Sequence, residues 1–448
     1  MTARWLLAMA MAVALAASAN AAEPRKPNVI VFLSDDVGYG EYGFQGNKDI
    51  PTPHIDSIAK NGARFTSGYV AATYCSPCRA GLMTGKYPTR FGHEWNEGGA
   101  TGKGGTVKFG LPLDQKTIAD RMKAQGYATY AVGKWHLGAG PEYIATARGF
   151  DEFYGTVANT PFVNPPNFID TRKSKDVSPV KDDSFYTTDA YADRAVDIVG
   201  KHKDTPFFLY LPFNAQHAPL QAPKKYLDRF PNIKDEKRQL FAAMMSAKDD
   251  AVGRVLAKVK EIGQEENTLV VFFSDNGGPT VQTTSNNGPL RGFKATTLEG
   301  GTRVPFCMQW KGKIKPGITF DHPIQNLDIL PTALVAAGGK VDPEWKLDGV
   351  DLMPYLTGAN PAAPHEVLYW RFGEQWAIRK GDFKLCVNRI DGVKEAAGLY
   401  NLKDDIGEAK NLAAAMPDKA KELQAEWDKW SAAQMKPLWV PAPAKKKN

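Results

Sequence analysis

Asn28–Asp36 reads NVIVFLSDD. Its first six residues carry no polar alternation and are rich in β-branched side chains, the pattern of a strand buried on both faces of a parallel sheet. Two carboxylates, Asp35 and Asp36, stand at the strand's C-terminal end. The design recurs at Thr268–Phe273 (TLVVFF), which ends in Ser274-Asp275-Asn276. A third buried run, Pro206–Phe213 (PFFLYLPF), is followed by His217. Helices are predicted over Thr117–Gln125, Thr187–Lys201 and Glu236–Ile262, and a strand over Ala128–Val132. Strands alternating with helices predict an α/β fold with helices on both faces of the sheet. Ligands of such sheets bind beyond the carboxyl ends of the strands, so these acids and His217 are expected to converge.

The 448-residue chain is 43% hydrophobic and 23% charged, the usage of a core-forming protein rather than a disordered one. Its 41 glycines and 31 prolines predict a loop-rich chain. Lys and Arg number 56 against 49 Asp and Glu, a net charge of +7, and the one long basic run is Lys445–Lys447. So mild an excess points away from nucleic acid as a partner.

Met1–Ala21 reads as a signal peptide: Arg4 supplies the basic start, Trp5–Ala17 the apolar run, and Ala19-Asn20-Ala21 the cleavage pattern. The apolar run is shorter than the ~20 residues that span a bilayer. No later stretch is apolar enough to span. The mature chain is therefore expected to be exported, periplasmic or secreted, without stable membrane insertion.

Past Gly358 the texture changes. Asn360–His365 reads as a linker, and Val367–Phe372, Trp376–Arg379 and Phe383–Val387 as an antiparallel meander. Pro417–Ala433 is a predicted helix with Pro at its first position. The expected organisation is a signal peptide (1–21), a catalytic α/β domain (24–357), a C-terminal α+β subdomain (358–436) and a frayed tail (437–448).

The four cysteines are Cys75, Cys78, Cys307 and Cys386. An oxidising compartment allows them three full pairings, and spacing does not choose among these. A single CxxC with no complementary pair is not a zinc site. Thiol–disulfide chemistry at Cys75-Ser76-Pro77-Cys78 is one alternative.

A different reading comes from Cys75-Ser76-Pro77-Cys78-Arg79-Ala80-Gly81-Leu82-Met83-Thr84-Gly85. Cys, Pro, Arg and Thr-Gly at these spacings resemble the maturation signature of the type I sulfatases, members of the alkaline-phosphatase-like superfamily. The resemblance implies a large mixed, mostly parallel sheet sandwiched by helices, with a smaller C-terminal antiparallel-sheet-plus-helix subdomain. It implies that a formylglycine-generating enzyme oxidises Cys75, and that the hydrated aldehyde is the nucleophile toward sulfur. One departure is Cys78, where the family more usually has Ser, Thr or Ala; a neighbouring thiol offers a disulfide that competes with conversion.

Further residues match by the same resemblance. Gly126–His136 (GYATYAVGKWH) is similar to the second family signature, which gives Lys134 a sulfate oxygen to hold and makes His136 the base that helps release sulfate. Asp35, Asp36, Asp275 and Asn276 match the metal ligands, with converted Cys75 completing the shell. All four donate oxygen, which suits Ca2+, with Mg2+ possible, and not zinc. His217 matches the residue that contacts sulfate and protonates the leaving oxygen. Lys294, in Asn287–Lys294 (NGPLRGFK), matches a contact to sulfate and to the leaving oxygen, and Arg79 one to the nucleophile. Glu299 and Arg303 read as structural, and His54, His202, His322 and His365 as structural or exposed.

The resulting expectation is a sulfuric ester hydrolase acting on a sulfated carbohydrate or an aryl sulfate. A formylglycine-dependent phosphonate or phosphate ester hydrolase is the alternative. A catalytically silent sugar-binding relative is disfavoured because Lys134, His136, His217 and Lys294 are all present. Candidate residues for the leaving group are His93, Glu94-Trp95-Asn96, residues 159–168, and Tyr369-Trp370-Arg371 with Glu374 and Trp376, because aromatic and charged side chains together suit sugars.

Overall fold

The computed structural model describes residues 25–96, 109–390 and 393–440. The signal-peptide reading of Met1–Ala21 lies outside them. In chain order the strands are β1 (Asn28–Ser34), β2 (Ala63–Phe65), β3 (Gly68–Tyr69), β4 (Ala128–Lys134), β5 (Glu152–Thr156), β6 (Phe168–Asp170), β7 (Phe207–Pro212), β8 (Thr268–Ser274), β9 (Phe306–Gln309), β10 (Ile318–Phe320) and β11 (Ile324–Gln325), then β12 (Val367–Phe372), β13 (Gln375–Lys380), β14 (Phe383–Val387), β15 (Arg389–Ile390), β16 (Val393–Lys394) and β17 (Gly398–Asn401).

Nine strands form one sheet in the order β10-β2-β9-β8-β1-β7-β4-β5-β6. Its centre, β8-β1-β7-β4-β5, is parallel, while β9 and β6 run against their neighbours. The mixed, mostly parallel sheet expected from the sequence is therefore present. Val29, Val31 and Leu33 face one apolar layer, and Ile30 and Phe32 the other. A strand with a core on each side has no solvent face, which is why its sequence shows no polar alternation. Helices Thr187–Lys201 and Glu236–Glu261 cover the second layer, and Cys75–Thr84, buried at every residue, lies in the first.

Register aligns the acids. Ser34 pairs with Ser274 across β1 and β8, so Asp35-Asp36 and Asp275-Asn276 leave the sheet at one level.

The C-terminal sheet has the order β12-β13-β14-β17, all antiparallel. Its fourth strand, β17, is additional to the predicted meander. Helix Pro417–Ala432 packs on one face through Leu423 against Ile378, Leu385 and Leu399. The other face meets the large domain through Leu368, Trp370 and Ala377 against Tyr69 and Leu298. Between the two domains Lys384 is buried against Glu299 at 2.8 Å and Glu408 at 3.0 Å. Burying a charge is tolerable only when it is paired, and here two carboxylates share one ammonium. Arg303 also meets Glu299, at 3.3 Å.

The expectation of a frayed tail fails for residues 437–440. Leu438 N donates to Gly92 O at 2.9 Å, and Trp439 is buried with its indole N–H on the carbonyls of Trp95 and Asn96. The buried tryptophan and these hydrogen bonds together offset the entropy cost of ordering the segment. Among the described residues no helix is long and apolar enough to cross a membrane.

Candidate active site

Each strand end contributes chemistry. Asp35 and Asp36 follow β1, Asp275 and Asn276 follow β8, Lys134 closes β4, and His217 lies beyond β7. Asp36 and His136 have φ of 61° and 56°, a left-handed backbone rare outside glycine and tolerated where surrounding structure imposes it. Cys75 opens helix Cys75–Thr84, whose Gly85, at φ 66°, closes the far end with its N–H on Gly81 O. Arg79, one turn on, falls on the same helix face as Cys75.

Ligand atoms of Asp35, Asp36, Cys75 and Asp275 all lie within 4.8 Å of one another, and all four residues are buried. Cys75 Sγ is 3.5 Å from Asp35 Oδ1. Cations surround them. Lys134 Nζ donates to Asp35. Arg79 puts Nε and Nη2 on Asp275 Oδ2 at 3.1 and 2.8 Å and Nη1 on the Lys134 carbonyl at 2.7 Å. Lys294 Nζ reaches Asp36 at 2.7 Å, and His217 Nε2 lies 3.6 Å from the same carboxylate.

Burial disfavours the charged form of each group, and the neighbours decide which effect wins. For Asp35 burial is opposed by Lys134 and Arg79, which hold its carboxyl far below the usual range. For Asp275 burial and the Asp35 charge prevail over Arg79 and push it up to about 6. Burial also pushes the Cys75 thiol up. His136 is held well below the usual histidine range by burial, then by Lys134 and Arg79. His217 is lowered by burial against the pull of Asp36.

The donor set fits a hard divalent cation. Three carboxylates converge, and Asn276 Oδ1 is buried with no hydrogen-bond partner while its Nδ2 donates to Asp36 at 2.8 Å. An orphaned buried carbonyl is costly unless something ligates it. Apart from the Cys75 sulfur the donors are oxygens, with no imidazole among them, the set that suits a hard cation.

A cleft of about 420 Å3 opens over these groups, with His217 and Lys294 at its base. Tyr74, Asn96, Asn159, Gln282 and Phe293 line it, along with Val281. Asn96 and Asn159 come from the stretches expected to bind sugar; Phe162, in the second, is core.

The other leaving-group expectations are corrected. His93 is fully buried, with Nε2 2.6 Å from Ser76 Oγ and its ring on Trp439. Burial holds it down to about 3. Glu94 is paired with Arg371 at 2.9 Å and accepts Gly373 N–H. Trp95 packs on Phe372, Trp376 stacks on Trp427, and Glu374 pairs with Arg389 at 3.0 Å. These six side chains bond to one another and to their neighbours and do not line the cleft; five of them join or build the C-terminal subdomain's contacts. Polar and aromatic residue types do not distinguish a sugar subsite from a domain interface.

Sequence reasoning also missed Lys248. It is fully buried in helix Glu236–Glu261, beneath the acids, and donates to Ser34 Oγ, to Tyr42 OH at 2.7 Å and to Gln216 Oε1 at 2.6 Å. A lysine on the apolar stripe Phe241–Val252 was the available signal.

A parallel-centred sheet with a carboxylate cluster and cations at its strand ends defines an alkaline-phosphatase-like ester hydrolase. The chain belongs to the sulfatase family: the Sulfatase family model matches residues 27–339, and the model for N-sulphoglucosamine sulphohydrolase, C-terminal, matches residues 293–433. It is 31% identical to uncharacterized sulfatase YdeN of Escherichia coli (strain K12), over 89% of this chain and 84% of that one. It is 32% identical to arylsulfatase A of Bos taurus, over 95% and 90%. The crystal structure of Ps i-CgsB in complex with k-i-k-neocarrahexaose matches with a TM-score of 0.84 at 34% identity, over 93% of this chain and 95% of that one. Sulfate ester hydrolysis is accordingly the reaction of this enzyme.

Proposed function

We propose that this enzyme is an exported, formylglycine-dependent sulfatase that removes sulfate from a sulfated carbohydrate. The observation that carries the reading is the placement of Cys75 within 4.8 Å of three carboxylates, flanked by Lys134 and Lys294. The unmodified Cys75 side chain stands where formylglycine hydrate would be. When present, that group supplies one hydroxyl to bond sulfur and a second to let sulfate leave, which a plain serine lacks. A divalent ion held by Asp35, Asp36, Asp275 and Asn276 supplies charge to the sulfate oxygens.

The chain's own residues do the rest. Lys134 and Lys294 hold sulfate oxygens, and a cation in a dry site is worth more than the same cation in water. Arg79 fixes Asp275 and steadies the residue at position 75. His217 Nδ1–H donates to Ala218 O at 2.6 Å, which leaves Nε2 facing the site; Nε2 gives a proton to the leaving oxygen from the imidazolium, the form that Asp36, 3.6 Å away, favours. His136 Nδ1, buried without a partner, is the acceptor for the proton released with sulfate. The carbohydrate class is supported by the likeness to Ps i-CgsB, which was crystallised with neocarrahexaose. The amides and aromatic rings of the cleft agree with it.

The test is peptide mass spectrometry across Phe65–Arg79, after co-expression with a formylglycine-generating enzyme, followed by turnover of sulfated saccharides. An aldehyde at Cys75 with release of sulfate supports the reading. An unconverted thiol in an active enzyme sinks it, and faster turnover of phosphonate esters moves it to the alternative reaction.

A further inference from the structure

Lys134 stands on β4 and Arg79 on helix Cys75–Thr84, whereas Lys294 is carried by a loop. It sits on the loop between β8 and β9, and the next residue, Ala295, has φ of 68°. An alanine enters that left-handed region at a cost of about 1–2 kcal/mol, and stays only where neighbours hold it. Two hydrogen bonds do so. Ala295 N donates to Thr73 O at 3.1 Å, two residues before Cys75. Gln375 Nε2, at the start of β13, donates to Ala295 O at 2.9 Å, and its own Oε1 is fixed by Arg389 N at 3.1 Å. Two residues further on, Thr297 N and Oγ1 donate to Asn388 Oδ1 at 3.0 and 2.9 Å.

A second contact comes from the other side. Phe372, the last residue of β12, stacks on Tyr74 with centroids 5.3 Å apart, and Lys294 Nζ lies 5.2 Å from the Tyr74 ring. Gln375, Asn388 and Phe372 all belong to the C-terminal subdomain. The C-terminal family match begins at residue 293, so it takes in this loop as well.

The geometry points to a role for the C-terminal subdomain in catalysis: it positions Lys294, with Gln375 as the positioning residue that holds Ala295 left-handed. The inference rests on Lys294 acting as read under the proposed function. Gln375 itself touches no reacting atom and moves no proton.

The test uses the matured full-length enzyme with 4-nitrophenyl sulfate as the probe. Gln375→Ala is expected to lower kcat about 10- to 100-fold, the cost of misplacing a catalytic group by about 1 Å. KM is expected to move less than kcat, because the Lys294 contact to the leaving oxygen, unlike its hold on sulfate, strengthens only as charge develops in the transition state. Adding Ala295→Gly to Gln375→Ala is expected to restore most of kcat, since glycine adopts positive φ without the alanine's penalty. Ala295→Val, which leaves the C-terminal sheet untouched, is expected to lower kcat even if Gln375→Ala does not fold. Lys294→Ala sets the floor. Wild-type turnover by Lys294→Ala overturns the functional reading itself. A crippled Lys294→Ala beside an unimpaired Gln375→Ala, or a Gln375→Ala loss that Ala295→Gly does not relieve, overturns this inference alone. If Gln375→Ala does not fold, an unimpaired Ala295→Val overturns it.

Discussion

Cys75 and Cys78 lie one turn apart on the same helix, and their sulfurs have separate neighbours. Cys75 Sγ faces Asp35 and Asp36, whereas Cys78 sits in the apolar layer with Asn326 Nδ2 3.4 Å from its sulfur. All four cysteines are unpaired. The competing disulfide raised by the sequence is absent from the fold, and Cys78 is a small core residue.

Cys78→Ser is therefore expected to leave conversion of Cys75 intact, at a stability cost of about 1–3 kcal/mol for a hydroxyl in an apolar layer. Peptide mass spectrometry over Phe65–Arg79 reads the first, and the urea midpoint the second. Loss of the aldehyde in this variant would show that Cys78 takes part in maturation.

His217 is expected to matter in proportion to how poor the leaving group is. His217→Ala should slow release of an alkyl sugar sulfate by about 10^2–10^4-fold, the usual worth of a general acid. It should slow 4-nitrophenyl sulfate far less, because a nitrophenolate leaves without a proton. Equal losses on both substrates would make His217 a sulfate-binding residue instead.

Without an ion the buried acids are costly: burial first, and then the Asp35 charge, raises the Asp275 carboxyl. Calcium is expected to raise the melting temperature by a few degrees, since free ion at 100 times its Kd adds about 2.7 kcal/mol. Chelation should abolish turnover and calcium or magnesium restore it. Rescue by zinc alone would contradict the oxygen-donor assignment.

His365 Nε2 lies 2.8 Å from Asp328 Oδ1. Burial lowers the imidazole's proton affinity, but the Asp328 charge and hydrogen bond outweigh it, so the folded-state value is raised. A raised folded value means stabilisation that is complete below the unfolded value of about 6.5 and is lost as pH rises through the folded one. His365→Gln is thus expected to cost about 1–2 kcal/mol at pH 5 and less at pH 9. Melting curves at the two pH values decide it; an equal shift at both excludes the charged pair.

Lys248→Ala is expected to destabilise by about 2–4 kcal/mol, because Ser34, Tyr42 and Gln216 lose a shared donor in a dry interior. Denaturant midpoints measure this. A loss under about 0.5 kcal/mol would mean that water replaces the amine.

What could be read from the sequence was local. NVIVFLSDD and TLVVFFSDN carry strand, burial and ligands within nine residues each, so β1 and β8 and their acids were legible. The short strands β2 and β10 have three residues each, too few for any periodicity. Glu94 and Arg371 are 277 positions apart, and no spacing rule links them. Either one alone resembles a free sugar contact. Gln375 was invisible for the same reason: its partner is a backbone carbonyl, which every residue has.

Trp439 packs on His93, and His93 holds Ser76, the neighbour of Cys75. The brace of helix Cys75–Thr84 therefore comes from a segment that follows helix Pro417–Ala432. A transcript broken before codon 437 would still encode the whole large sheet and every acid of the cluster, yet its product would present Cys75 on an unbraced turn. Folding of the large sheet alone thus leaves the surroundings of Cys75 without the support that residues 437–440 give them.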